Sequence, residues 1–208
     1  MKKQKENLIL ALDTSAQAVS VALLNEKNVF GHAEQAMERG QGEALMPLME
    51  RVMADARKKP ADLTGIAVAV GPGSFTGVRI GLSAARGLGL ALGIPVWGVT
   101  NFEAAAFGAA VPVTVVLDTK RGDYYAQSFD KNGVAVGAPG VQTPQQLEKR
   151  LPLTVVGDGA ARLNREIGCA VMEPKSPAAV SVGRIALGRL NHPLPPAPLY
   201  LRDADVTC

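Results

Sequence analysis

The sequence predicts an α/β protein built as two similar lobes. An apolar run closing on Asp-Thr occurs twice, as ILALDT ending at Thr14 and as VTVVLDT ending at Thr119. Each run is followed by a polar turn, an alternating strand, a second turn and a third strand. Aligning Leu12-Asp13-Thr14 on Leu117-Asp118-Thr119 sets a period of about 105 residues, the mark of an internal duplication. The lobes are therefore expected at residues 1–105 and 106–208, with helices over mixed sheets and a shorter second lobe.

The elements follow in order. LILALD (8–13) is a near-continuous apolar run, the pattern of a strand buried on both faces. AVSVALL (18–24) alternates, Asn25-Glu26-Lys27-Asn28 turns the chain, and a third strand covers 29–34. Apolar Leu45, Leu48, Met49, Val52 and Met53 recur at helical spacing within 42–58, and Pro60 ends that helix. GIAVAV (65–70) is a second buried strand, followed by a Gly-rich turn, a long helix and the strand IPVWGV (94–99). Thr100 or Asn101 caps a short helix through Gly108. In the second half come strands at 113–119, 124–129 and 133–141, a helix at 143–151 and a strand at 153–159. A short helix, a last helix over 180–190 and an extended Pro-rich tail complete the chain.

The bulk numbers restrict function. With 208 residues, 47% hydrophobic and 20% charged, the chain has the composition of a globular domain with a proper core. A net charge of +3 without a long Lys/Arg cluster gives no nucleic-acid footprint. Cys169 and Cys208 stand far apart with no second ligand type beside them, which fits a reducing, cytoplasmic setting. The opening MKKQKENLILALD stops being apolar at Asp13, too soon for a signal peptide. The stretch 80–96 contains Arg86 and several glycines and makes a poor membrane span.

The densest stretch is GPGSFTGVRIGLSAARGLGLALG, residues 71–93. Every fourth residue of its helix is small: Gly77, Gly81, Ala85, Gly89 and Gly93. Each glycine in a helix costs about 1 kcal/mol against alanine, so close backbone contact must compensate. The stripe reads first as a surface for another helix, with Leu45, Met46, Met49 and Met53 as an adaptable apolar flank. Packing on the protein's own sheet is the alternative, and composition leaves both open.

The same stretch offers a weaker anion site. Asp13, Thr14 and Ser15 leave a buried strand, and Gly71-Pro72-Gly73 has the residues of a type II turn. Ser74 then caps the helix, leaving backbone N–H groups for a phosphate. Neither a P-loop nor a dinucleotide fingerprint matches, because Gly77-Val78 stands where Gly-Lys is needed and the glycine spacing differs. Asp13 and Asp118 are candidates for a carboxylate pair holding Mg²⁺ across a cleft, or simply for turn capping. His32 and His192 lack a second imidazole or thiol at metal-ligand spacing. Ser74 has no nearby base and no Gly-x-Ser-x-Gly elbow. Arg79 and Arg86 share a helix face, ready for an acidic partner or for solvent.

ILALDTSAQAVSVAL, EALMPLM, GIAVAVGPGSFTGVRIGLSAARGLGLALGIPVWGVTNFEA, VVLDTKRGDYYAQSF, VVGDGA and PLYLRD together resemble the TsaB (YeaZ-like) family along essentially the whole chain. The resemblance implies the two-lobed fold shared by actin, hexokinase and the Hsp70 ATPase (ASKHA). It implies a non-catalytic scaffold and dimerisation subunit that supports the catalytic subunit TsaD, with the ATPase TsaE, in forming threonylcarbamoyladenosine next to the anticodon of tRNAs reading codons that begin with A. On that expectation the chain is not an enzyme and requires no cofactor of its own, while ATP or ADP and Mg²⁺ belong to the complex. It works in the cytoplasm, away from membranes, and pairs with itself in isolation. In the related catalytic subunit a His-x-x-x-His pair before the Gly-Pro-Gly turn binds metal. The equivalent segment here, Gln41-Gly42-Glu43-Ala44-Leu45, has no histidine. The alternatives are an ATP-dependent small-molecule kinase of the same fold and a peptidase.

Overall fold

The structure, a computed structural model, describes residues 6–151 and 153–202; Cys208 lies outside the described residues. The first half contains β1 (Ile9–Asp13), β2 (Ala18–Leu24), β3 (Val29–Ala36), α1 (Gln41–Asp55), β4 (Gly65–Ala69), α2 (Phe75–Leu92), β5 (Val96–Val99) and α3 (Asn101–Ala106). The second contains β6 (Val113–Asp118), β7 (Tyr124–Phe129), β8 (Ala135–Gln142), α4 (Pro144–Glu148), β9 (Thr154–Val156), α5 (Ala160–Ile167), β10 (Ala170–Val171) and α6 (Ala178–Gly188).

The duplication is visible in the topology. One sheet runs β3-β2-β1-β4-β5 and the other β8-β7-β6-β9-β10, the same order one period later. In each, the first three strands pair antiparallel and the last two join in parallel. Asp13 pairs with Ser20 and Asp118 with Tyr124, so the two Asp residues close equivalent strands. The two-residue β10 escaped the sequence pattern because Ala170 and Val171 are both exposed and too few to show a period.

β1 and β4 are buried at every position because helices cover both faces of their sheet. Leu10, Leu12 and Val68 face α1 and α2 and join Leu45, Leu48, Met49, Val52 and Leu82. Ile9, Ala11, Ala67 and Ala69 face the other way, onto Ala179, Val182 and Ala186 of α6. α6 thus belongs to the first lobe, against the boundary expected from the sequence. A Cβ at Gly183 would stand 2.4 Å from Leu24, so this helix lies close on the first sheet. The six-residue α3 leaves much of that apolar face bare, and α6 covers it.

The small-residue stripe also turns inward. Gly77, Gly81, Ala85 and Gly89 are buried against their own sheet, not presented to a foreign helix. A Cβ at Gly77 would lie 2.1 Å from the Thr14 carbonyl oxygen, and one at Gly81 2.6 Å from the Thr14 hydroxyl. At Gly89 it would meet Val96 at 2.4 Å. Leu45, Met49 and Met53 are core residues as well, while Met46 is half exposed. Helical period alone cannot tell an inward stripe from an outward one, since both give the same spacing.

A Gly77→Ala exchange should destabilise the protein by about 1–3 kcal/mol through overpacking, measured by urea unfolding. Leu90→Glu, at a position 86% exposed, should change stability by no more than about 0.5 kcal/mol. Equal effects at the two positions would place the stripe outside the core.

Candidate functional site

Between the two sheets lies a cleft of about 1020 Å³. The first lobe contributes Asp13, Ser15, Gln41, Gly73, Ser74 and Asn101, and the second contributes Asp118, Thr119, Lys120 and Asp158. Asp13, Ser15, Gly73, Ser74 and Asp118 from the sequence reading do converge here. Thr14 and Gly71 do not.

Thr14 is buried and donates its hydroxyl to the Gly77 carbonyl at 2.7 Å, locking β1 to the first turn of α2. Gly71 is buried beneath the tail, with the Leu199 carbonyl 3.1 Å from where its Cβ would be. Its φ of +96° is the left-handed one, whereas Gly73, the expected left-handed position of a type II turn, is not left-handed. Gly73 is required for space: a Cβ would stand 2.4 Å from the Ser15 carbonyl oxygen, which accepts the Ser74 N–H at 2.7 Å. Ser74 caps α2 as expected, its hydroxyl accepting from the Gly77 N–H at 3.2 Å.

Asp13 accepts the Ser15 N–H at 2.8 Å and the Ser15 hydroxyl at 2.5 Å. Asn101 donates to Ser15 Oγ at 2.6 Å and to the Pro72 carbonyl at 2.9 Å, tying the two Gly- and Ser-rich turns together. The helix cap belongs to Thr100, which forms a capping box with Glu103 and leaves Asn101 for the cleft. Burial raises the Asp13 carboxyl above the ordinary range despite the two bonds from Ser15. Desolvation likewise raises Asp158, which accepts the Asp118 N–H at 2.9 Å.

Asp118 is not poised to share a cation with Asp13. Arg162 lies 3.0 Å from it and Lys120 3.2 Å, and it also accepts the Lys120 N–H at 2.8 Å. Arg162 also donates to the Tyr124 hydroxyl at 2.6 Å and lies over that ring. Desolvation pushes the Tyr124 hydroxyl up to about 12. Among the described residues no group of three or more His, Cys, Asp or Glu side chains could hold a metal ion. With Asp118 already neutralised by two cations, the Asp13–Asp118 pair does not fit a divalent ion.

Arg79 and Arg86 find their partners within the chain. Arg79 lies 3.6 Å over the Phe75 ring and donates to the Tyr200 hydroxyl at 2.9 Å, and Arg86 donates to the Pro196 carbonyl. His32 approaches the Ser20 hydroxyl at 3.3 Å, and His192 sits exposed in the tail. Sequence reasoning missed Asp158, Arg162 and Tyr200. Asp158 had a signal, since its GDG turn follows β9 as the GPG turn follows β4.

On the outer side of the first lobe, Gly42, Leu45, Met46, Phe75, Thr76, Arg79, Ile80, Ser83 and Ala84 line a shallow groove of about 580 Å³ between α1 and α2. The groove is largely apolar, and Met46, which lines it, is 50% exposed.

Two lobes of one topology about a cleft define the actin- and hexokinase-like class. Component A of (R)-2-hydroxyglutaryl-CoA dehydratase from Acidaminococcus fermentans shares the fold at TM-score 0.57 and 10% identity, over 89% of this chain and 99% of that one. A family model described as TsaD, tRNA N6-adenosine threonylcarbamoyltransferase, matches residues 32–162. An uncharacterized protein of Mycobacterium tuberculosis is 31% identical over 99% of this chain and 96% of its own length. The Escherichia coli tRNA threonylcarbamoyladenosine biosynthesis protein TsaB is 34% identical over 69% of this chain and 65% of that protein. A Pseudomonas aeruginosa crystal structure, described as similar to peptidase YEAZ, superposes with TM-score 0.78 at 25% identity, over 94% of this chain and 100% of that one. The chain belongs to the TsaD-related family, as a TsaB/YeaZ-like member.

Asp13→Asn tests the buried carboxyl. Because the folded value is raised, the native fold holds a proton there that the unfolded chain releases sooner, and stability falls as pH rises from the ordinary carboxylate range through the folded value. Asparagine has no such loss. The melting temperature of the variant minus that of the native chain should therefore increase between about pH 4 and pH 7; a difference that stays constant would contradict the burial effect.

Proposed function

We propose that this chain is a non-catalytic subunit in the formation of threonylcarbamoyladenosine on tRNA. It docks on the catalytic subunit TsaD, and the ATPase TsaE joins the same assembly. In the absence of TsaD the same face pairs with a second copy of the chain. On this reading ATP or ADP and Mg²⁺ belong to the assembled complex, and the setting is the cytoplasm. The observation that carries the proposal is the outward groove between α1 and α2 on a chain of TsaB-like sequence. It replaces the buried stripe as the contact surface: Met46, Ile80 and Ala84 supply the adaptable apolar centre and Arg79 and Ser83 the polar rim.

The cleft supports the same reading. Of its second-lobe carboxylates, Asp118 is engaged by Arg162 and Lys120, and Asp158 accepts the Asp118 N–H. Among its first-lobe carboxylates, Asp13 holds the Ser15 turn. Gln41, in the segment where the related catalytic subunit has a metal-binding histidine, lines this cleft and donates to the Glu38 carbonyl at 3.4 Å.

Met46→Glu and Ala84→Glu should each weaken TsaD binding at least tenfold or so, the effect of a charge at an apolar interface centre. Circular dichroism and melting should match the native chain. Co-purification with TsaD, together with restoration of tRNA modification in vitro, is the check. Full binding by both variants would remove the groove from the interface.

A further inference from the structure

We infer that residues 189–202 form a strap that fixes the two lobes at one opening, so that the chain acts as a rigid platform instead of a hinge. The strap starts on the first lobe. Leu194 forms an antiparallel bridge to Gly98 of the edge strand β5, whose N–H donates to the Leu194 carbonyl at 2.8 Å. Gly98 has no room for a side chain there, since a Cβ would stand 2.5 Å from the Pro195 carbonyl oxygen. Arg189 is held by Glu103 at the start of α3, and the Leu199 N–H donates to the Val70 carbonyl at 2.8 Å.

The strap then crosses. Leu199 packs against the first-lobe core beneath α1 and α2 and also against the second-lobe cluster of Val113, Val115, Phe129 and Val156. Tyr200 stacks on Phe75 at the start of α2, ring centroids 5.1 Å apart, while Leu201 joins the second-lobe cluster. Arg202 ends the crossing in an ion pair with Asp123, in the turn that leads from Asp118 into β7. Desolvation alone would raise the Asp123 carboxyl, but the Thr119 hydroxyl and Arg202 outweigh it and hold it below the ordinary range. Successive residues thus grip opposite walls of the cleft, and Leu199, Tyr200, Leu201 and Arg202 all line it.

The chain crosses between the lobes at two other places: at α3, whose Phe102 is fully buried in the second-lobe cluster while Ala104 faces α6, and between β10 of the second sheet and α6 on the first. Those two crossings alone would leave rotation about the line that joins them. The strap adds a third crossing through a separate segment, which opposes that rotation.

The test uses the full chain with Cys208→Ser and spin labels at exposed positions Glu38→Cys and Lys149→Cys, one on each lobe. Arg202→Ala should shift and broaden the measured distance distribution. It should also speed amide exchange of the turn 119–123 roughly fivefold, the scale of one lost half-buried ion pair. Arg86→Ala removes a tail contact made only within the first lobe, and it should leave the distance distribution unchanged. The proposal is overturned if Arg202→Ala leaves the distance distribution as in the native chain, or if Arg86→Ala alters it equally. Faster exchange in the turn without a change of distance would also overturn it, because the strap would then order only that turn.

Discussion

The contact between the end of β1 and the first turns of α2 organises this molecule. Thr14 donates to the Gly77 carbonyl, the Ser15 carbonyl takes the Ser74 N–H, and Gly73, Gly77 and Gly81 are bare where these groups press against them. A side chain at any of these glycines would push the helix off the sheet. From this one junction follow the direction of α2, the position of Ser74 at the cleft wall, and the outer face that α2 shares with α1. The glycines are unfavourable for the helix taken alone, and the sheet contact offsets that cost.

The cleft and the outer groove divide the molecule's surface into two kinds. The cleft mixes apolar with polar and charged lining, and two of its charged groups are paired within the chain: Asp118 with Arg162 and Lys120, and Arg202 with Asp123. Such pairing shapes and rigidifies a surface but leaves little unspent charge for chemistry. The groove is almost wholly apolar, with Met46 open to solvent. An exposed apolar groove with a polar rim is the form of an interaction surface. Phe75 lines both.

Much of the fold was legible in the sequence, and the limits have physical causes. The repeated Asp-Thr runs located both sheets because strands buried on two faces must be apolar throughout. Duplication predicted equivalent positions for Asp13 and Asp118, and both reach one cleft. The return of α6 to the first lobe was not legible, since its Ala, Val and Gly pattern suits either sheet and only the short α3 reveals which face is bare. The stripe was recognised but assigned the wrong partner, because spacing reports that a face is small and not what it touches. Partners of charged side chains were the least legible. Arg162, Arg189 and Arg202 reach groups 38 to 91 positions away, as with Arg162 to the Tyr124 hydroxyl and Arg189 to the Gly98 carbonyl, and no local pattern encodes such contacts.

On the proposed function the chain serves through its α1/α2 groove, with the cleft as a structural seam. Amide exchange of the chain alone and in complex with TsaD, read by mass spectrometry, tests it most directly. Slowed exchange concentrated in residues 42–46 and 75–84 is the expected result. Slowed exchange confined to the cleft turns 13–17 and 118–123, with the groove unchanged, would contradict the account.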